Sequence, residues 1–227
     1  MGGKIRVAIL DDHQSIVDGY LRRLAEATDI EVVGTAAYGE ELEPMLAEHP
    51  TDVLLLDILA PTSPDNPNPY PVLHVLPQIR RNYPSLAVLV ISMHNARALI
   101  QAVLDAGARG YVLKEDRDTI VQLASVVRLM ASGDAHLSRL AHQKLIKDQP
   151  QQPSLTSRQL EVLSLCAAYP DRSTEDLART LGVSSSTVRN LLSKVYQRLD
   201  VRTKAGAIAK ARRLGLITPE STSPPYL

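Results

Sequence analysis

A chain of 227 residues with 44% apolar content has the size of one or two ordinary domains and enough core-forming side chains to exclude global disorder. No apolar stretch approaches the roughly 18 residues that a bilayer-spanning helix needs, which argues against a membrane protein. Net charge is zero but unevenly spread: residues 1–150 hold 14 Lys+Arg against 19 Asp+Glu, and residues 151–227 hold 11 against 6. An acidic front and a basic back suggest two modules with different partners, the basic one being the candidate for nucleic acid.

The N-terminus, Met1-Gly2-Gly3-Lys4, runs straight into a strand pattern and leaves no room for a signal peptide, and Arg6 stands where a myristoylation motif needs Ser or Thr. The single Cys166 cannot form an intramolecular disulfide and lies in a helical pattern, as a buried small apolar residue does. A cytoplasmic location is expected. None of the six His, all in the front half, falls at a metal-ligand spacing such as HExxH.

In chain order, the front half alternates strand and helix patterns. Strands are expected at 5–10, 31–36, 52–56, 86–91 and 110–113, with helices at 15–27, 40–48, 72–83, 96–106 and 117–131. Five such units imply a doubly wound, all-parallel sheet with right-handed crossovers. Residues 61–71 hold five prolines, which forbid helix and central strand and predict an extended, stiff surface loop. A short helix over 138–146 and the Gln- and Pro-containing run 147–153 mark a linker. Four helices follow, at 157–168, 174–181, 185–199 and 204–214, with Thr156 and Ser184 as N-caps, Thr174 near a third start, and Gly182 at a tight turn.

The chemistry gathers at the strand ends. The apolar run Ile5–Leu10 closes on Asp11-Asp12, and Val53–Leu56 closes on Asp57. Parallel sheets place ligand sites outside their carboxyl ends, where three carboxylates suit a hard divalent cation such as Mg²⁺. Ser92 follows the fourth strand, Tyr111 lies in the fifth and Lys114 follows it. Together these groups suit phosphoryl transfer to a carboxylate, with Asp57 as nucleophile and Lys114 and Ser92 on the phosphoryl oxygens. Each residue alone has a plainer explanation: acids facing water, Ser92 as a helix cap, Lys114 as a solvated lysine, Tyr111 as a packed aromatic.

The strings Ile9-Leu10-Asp11-Asp12-His13, Leu54-Leu55-Leu56-Asp57-Ile58 with Pro61, Ile91-Ser92, and Gly107-Ala108-Arg109-Gly110-Tyr111-Val112-Leu113-Lys114 closely resemble a bacterial response-regulator receiver domain over about residues 4–132. The resemblance implies a flavodoxin-like fold. It makes Asp57 the phosphoacceptor and assigns Mg²⁺ to Asp11, Asp12, Asp57 and the Leu59 backbone carbonyl. Ser92 and Tyr111 become the switch pair, and Lys114 the phosphate-contacting lysine. Departures are the long loop after Pro61, which lacks the usual Gly, and Glu115 where a proline usually follows the lysine.

In the back half, Val188, Leu191, Leu192, Val195 and Leu199 line one face of a helix, while Arg189, Asn190, Ser193, Lys194 and Gln197 line the other. A short helix, a Gly turn and a basic polar helix meet the needs of a major-groove reader, although a solvated amphipathic helix in a small bundle has the same pattern. The strings Leu155-Thr156-Ser157-Arg158-Gln159-Leu160-Glu161-Val162-Leu163, Leu181-Gly182-Val183-Ser184, Thr187-Val188-Arg189-Asn190 and Leu199-Asp200-Val201-Arg202 resemble the LuxR-type DNA-binding domain over about 155–217. By that resemblance Arg189, Asn190 and Ser193 approach base edges. Ser184, Ser186, Thr187 and Lys194 contact phosphates or adjoining groups. Glu161 is a structural ion-pair residue, and the last helix is the dimerisation helix. Leu191 stands where the family often has His.

The two resemblances imply a response regulator of the NarL/FixJ type, not a turnover enzyme. Its expected plan is a receiver over 1–132, a linker with a short helix over 133–153, an all-α four-helix helix-turn-helix domain over 154–218 and a tail over 219–227. Its expected partners are a sensor histidine kinase, double-stranded DNA, a second copy of the chain and RNA polymerase. Two other readings are open: a receiver controlled without phosphate through contacts near Pro61–Pro71, and a Mg²⁺-dependent phosphohydrolase. The second lacks the Asp expected two residues after the nucleophile, where Leu59 stands.

Overall fold

The computed structural model describes residues 3–146 and 155–220. The front half runs β1 (Ile5–Leu10), α1 (Gln14–Ala25), β2 (Ile30–Ala36), a single 3-10 turn (Gly39–Glu41), α2 (Leu42–Glu48) and β3 (Val53–Leu56). It continues through β4 (Pro61–Ser63), β5 (Asn66–Pro69), α3 (Val72–Asn82), β6 (Ala87–Ser92), α4 (Arg97–Ala106), β7 (Gly110–Leu113), α5 (Arg117–Val121), α6 (Leu123–Ala131), β8 (His136–Leu137) and α7 (Arg139–Ile146). The back half is α8 (Ser157–Ala168), α9 (Thr174–Leu181), α10 (Ser185–Leu199) and α11 (Lys204–Arg213). Among the described residues, no helix is long and apolar enough to cross a membrane.

The main sheet is parallel, in the order β2-β1-β3-β6-β7-β8. Its inner strands are apolar at nearly every position, Arg6 and Ser92 excepted, because both faces are covered. Ala8, Leu10, Leu54, Leu56, Val88 and Val90 pack towards α2, α3 and α4. Val7, Ile9, Val53, Leu55, Leu89 and Ile91 pack towards α1 and α6.

Three expectations need correction. The five expected strands are joined by a sixth, β8, inside the stretch read as linker. Two residues carry no periodicity, and the strand is held by Ser138, whose amide donates to the Tyr111 carbonyl and whose Oγ accepts from the Leu113 amide. The helix expected over 117–131 breaks at Gln122, where ψ is 21°. The proline-rich segment is no plain surface loop: Pro61 pairs with Pro69 and Ser63 with Asn66 in an antiparallel hairpin closed by Pro64-Asp65. Proline is tolerated in such an isolated ribbon because its missing N–H can face outward. Thr62 Oγ1 donates to the Asn68 carbonyl across it at 2.9 Å. The rest of the expected linker, 147–153, residue 154, and residues 221–227 of the expected tail lie outside the described residues.

The back half folds as four capped helices. Thr156, Ser173, Ser184 and Thr203 each accept a backbone N–H at the start of α8, α9, α10 and α11. Thr174 opens α9, as expected, and Ser173 is its cap. Val162, Leu163, Cys166, Val188, Leu192, Val195 and Leu199 fill the core, continuous with the α3–α4 side of the sheet.

Candidate functional site

Strand register brings the polar residues to one rim. The Asp57 amide donates to the Leu10 carbonyl at 2.8 Å, placing Asp57 beside Asp11. The Lys114 amide donates to the Ser92 carbonyl at 2.9 Å, placing the ends of β6 and β7 together. Asp57 and Asp11 are 3% and 4% exposed, so their charges are largely removed from water. The Lys114 Nζ donates to Asp57 Oδ2 and to Asp11 Oδ2, both at 2.7 Å. The other Asp57 oxygen accepts the Leu59 amide at 3.0 Å.

Burial raises the Asp57 carboxyl above the usual carboxylate range, and Asp11 adds to the rise, while Lys114 and the Leu59 amide pull against it. Burial alone would lower Lys114, but the two carboxylates more than offset it and the ammonium is held charged. The trio is thus a buried cation between two carboxylates.

Ligand atoms of Asp11, Asp12, His13 and Asp57 lie within 4.8 Å of one another. Three carboxylates at that spacing form the hard oxygen donor set that Mg²⁺ prefers, so these residues fit the ion. His13 was not foreseen in this cluster; its Nδ1 lies 3.0 Å from Asp12 Oδ1 and 3.4 Å from Asp11 Oδ1. Its place directly after the acid pair was the available signal.

Ser92 is fully buried, and its Oγ accepts the His94 amide at 3.1 Å, so it orders the loop leading to α4. Tyr111 is also fully buried, and its hydroxyl donates to the His94 carbonyl at 2.7 Å. Ser92 and Tyr111 therefore grip one loop residue from its two backbone ends. Burial raises the Tyr111 hydroxyl and lowers the His94 imidazole, so both are neutral near pH 7.

In the back half, α9 stops at Gly182 in the left-handed region (φ 64°), and α10 starts three residues later, at Ser185. The Ser184 Oγ caps the Thr187 amide and lies 2.8 Å from both Ser186 Oγ and Thr187 Oγ1. Ser184, Ser186, Thr187, Arg189, Asn190, Ser193 and Lys194 are all exposed on one side of α10, while Val188, Leu192 and Val195 are buried on the other. Hydroxyls, an amide and two cations so arranged can hydrogen-bond to base edges and phosphates.

Residues 7–125 match the family model of the response regulator receiver domain, and residues 153–211 that of the bacterial regulatory proteins of the luxR family. The probable transcriptional regulatory protein NarL of Mycobacterium tuberculosis is 30% identical over 219 residues, a match covering 94% of this chain and 96% of that protein. The transcriptional regulatory protein DegU of Brevibacillus brevis is 28% identical over 238 residues, covering 94% and 95%. Among solved structures, the RcsB response regulator of Salmonella typhimurium superposes with a TM-score of 0.62 at 23% identity, covering 94% of this chain and 99% of that one. RcsB bound to promoter rprA in the presence of phosphomimetic BeF3- gives 0.61 at 24%, covering 92% and 98%. At those identities the likeness establishes the fold. Both halves are thus matched, in this order and over nearly their whole length, and the chain belongs to the NarL/FixJ-type response regulators, transcription regulators rather than enzymes, in which a receiver precedes a LuxR-type DNA-binding domain.

Proposed function

We propose that Asp57 accepts a phosphoryl group from a sensor histidine kinase, and that the chain then binds operator DNA as a homodimer. The observation that carries this reading is the Lys114 ammonium 2.7 Å from Asp57 and from Asp11. An Asp57 oxygen attacks phosphorus, the bond from phosphorus to the donor atom breaks, and its electron pair leaves with the donor. Lys114 stays beside the new phosphoryl oxygens, where its charge is no longer shared between two carboxylates. Mg²⁺, held by Asp11, Asp12, Asp57 and the Leu59 carbonyl, would supply further positive charge for the phosphoryl oxygens. Ser92 and Tyr111 form the switch pair, since both hold the His94 segment beside the rim.

On the DNA side, Arg189, Asn190 and Ser193 reach base edges, and Ser184, Ser186, Thr187 and Lys194 reach the backbone. Pairing of two copies is supported by the relative described as two RcsB dimers bound to two parallel DNAs. The same reading assigns residues 1–132 to the receiver, 133–153 to the linker, 154–218 to DNA binding and 219–227 to a tail. It gives the regulator a cytoplasmic location and a contact with RNA polymerase. Intact-mass spectrometry after incubation with Mg²⁺ and acetyl phosphate tests it: one labile phosphoryl is expected on the wild-type chain and none on Asp57→Asn. A wild-type chain that gains no mass would sink the reading.

A further inference from the structure

Two loops leave the acidic rim, and both reach the DNA-binding half. The first is the hairpin that opens four residues after Asp57. Its Asn66 Nδ2 donates to the carbonyl of Ala168, the last residue of α8, at 3.0 Å. Such terminal carbonyls lack intrahelical partners, so the hairpin caps a helix of the other domain. Behind it, in α3, His74 Nδ1 lies 2.8 Å from Glu161 Oε1 and its Nε2 lies 2.7 Å from Gln78 Nε2. A neutral imidazole with its proton on Nδ1 satisfies both, donating to the carboxylate and accepting from the amide. Arg158 binds the other Glu161 oxygen and donates from its second terminal nitrogen to the Leu181 carbonyl at 3.1 Å. A continuous polar path therefore links the receiver to the last residue of α9, at the turn that precedes α10. The second loop ends at Ala96, and a Cβ placed on Gly215, just past α11, would lie 2.5 Å from the Ala96 Cβ.

These contacts engage α8 and the chain beyond α11, while the polar face of α10 is exposed along its length. Buried apolar residues run without interruption from Leu73, Leu76 and Ala102 of the receiver to Leu155 and Val162 of the back half. We propose that the hairpin and His74 act as an interdomain brace, which docks the DNA-binding half on its α8 side and leaves the recognition face open. The docking surface fits the α8–α9 corner of the same chain, and the receiver orients the DNA-binding half without covering it.

Backbone ¹⁵N relaxation on the full chain tests the brace without DNA. Both halves are expected to share one rotational correlation time in the wild type, and the double variant Asn66→Ala with His74→Gln is expected to give the back half a shorter one of its own. Independent tumbling in the wild type overturns the brace. So does shared tumbling retained in both the double variant and a chain whose Thr62–Asn68 is cut to a short glycine turn. Asn66→Ala alone, at a half-buried side chain, replaces the double variant if that one loses its folded spectrum. A second measurement, which rests on the DNA-binding reading of α10, follows affinity for a short mixed-sequence duplex at fixed salt. Releasing an open-faced domain should change it by less than about threefold, whereas unmasking a covered one should raise it by about tenfold or more, within the usual range of coupling between sites. A tenfold rise overturns the open face. Absence of duplex binding by either chain overturns the DNA-binding reading, and the tumbling result still decides the brace.

Discussion

At the rim, Lys114 is what makes two buried carboxylates tolerable side by side. Asp57 is raised by its burial and by Asp11, with Lys114 opposing. A carboxyl whose folded value lies above its unfolded one contributes stability fully present below the ordinary carboxylate range and lost as pH rises through the folded value. At neutral pH the fold therefore carries this group at a cost, as functional sites often do. Asp57→Asn should raise the Mg²⁺-free thermal midpoint at pH 7, by on the order of 1 kcal/mol in stability. The gain should shrink as the pH is lowered towards the ordinary carboxylate range, because the wild-type carboxyl takes up its proton on the way. A variant less stable than wild type across that range would show that Lys114 outweighs burial and Asp11. The side chain of Asp29 makes the opposite case: its hydrogen bond from Arg128 lowers the carboxyl to about 2. That pair is exposed and so of little consequence to the fold.

Among the elements, helix boundaries in the back half were legible because capping and period are local physics. Thr156 and Ser184 cap where their sequence position suggests, and the third helix starts at Thr174 as expected, with Ser173 and Asp176 forming a reciprocal box before it. Gly182 has φ 64° and no atom within 4 Å of a would-be Cβ, so a side chain there meets only backbone strain. Gly182→Ala should cost about 1 kcal/mol, the usual penalty of a left-handed residue with a Cβ, read as a lower midpoint for the back half. Gly182→Asn should recover part of it, since Asn tolerates this conformation. Equal midpoints for all three chains would mean that the turn relaxes. The hairpin was not legible for the converse reason. Its prolines erase the strand signal, and the bonds that hold it run across the hairpin itself and to Ala168 of the other half, 102 residues on from Asn66.

Over the whole molecule, the loops that leave the phosphoacceptor rim also carry contacts to the back half. At Gly215 there is no room for a methyl group beside Ala96. Gly215→Ala should destabilise the chain through both the clash and its positive φ of 64°. Ala96→Gly should relieve only the clash. A double-mutant cycle on thermal stability should therefore return a coupling of about 1 kcal/mol or more, as for residues in direct contact. Strict additivity of the two substitutions would place the residues apart in solution.

The amino-acid order by itself determined the two-module plan, the five principal strands, the four helices of the back half and the acids, serine, tyrosine and lysine of the rim. Apolar runs closed by acids, helical periodicity and cap residues are statements about near neighbours, and near neighbours are written consecutively. Only the tertiary structure decided that Lys114 bridges Asp57 and Asp11, that His13 joins the acids and that Tyr111 holds the His94 carbonyl. It also decided that Asn66 and His74 reach across to α8. These pairings join residues up to 103 positions apart, and which of them meet is set by strand order and domain packing, quantities that no local pattern encodes.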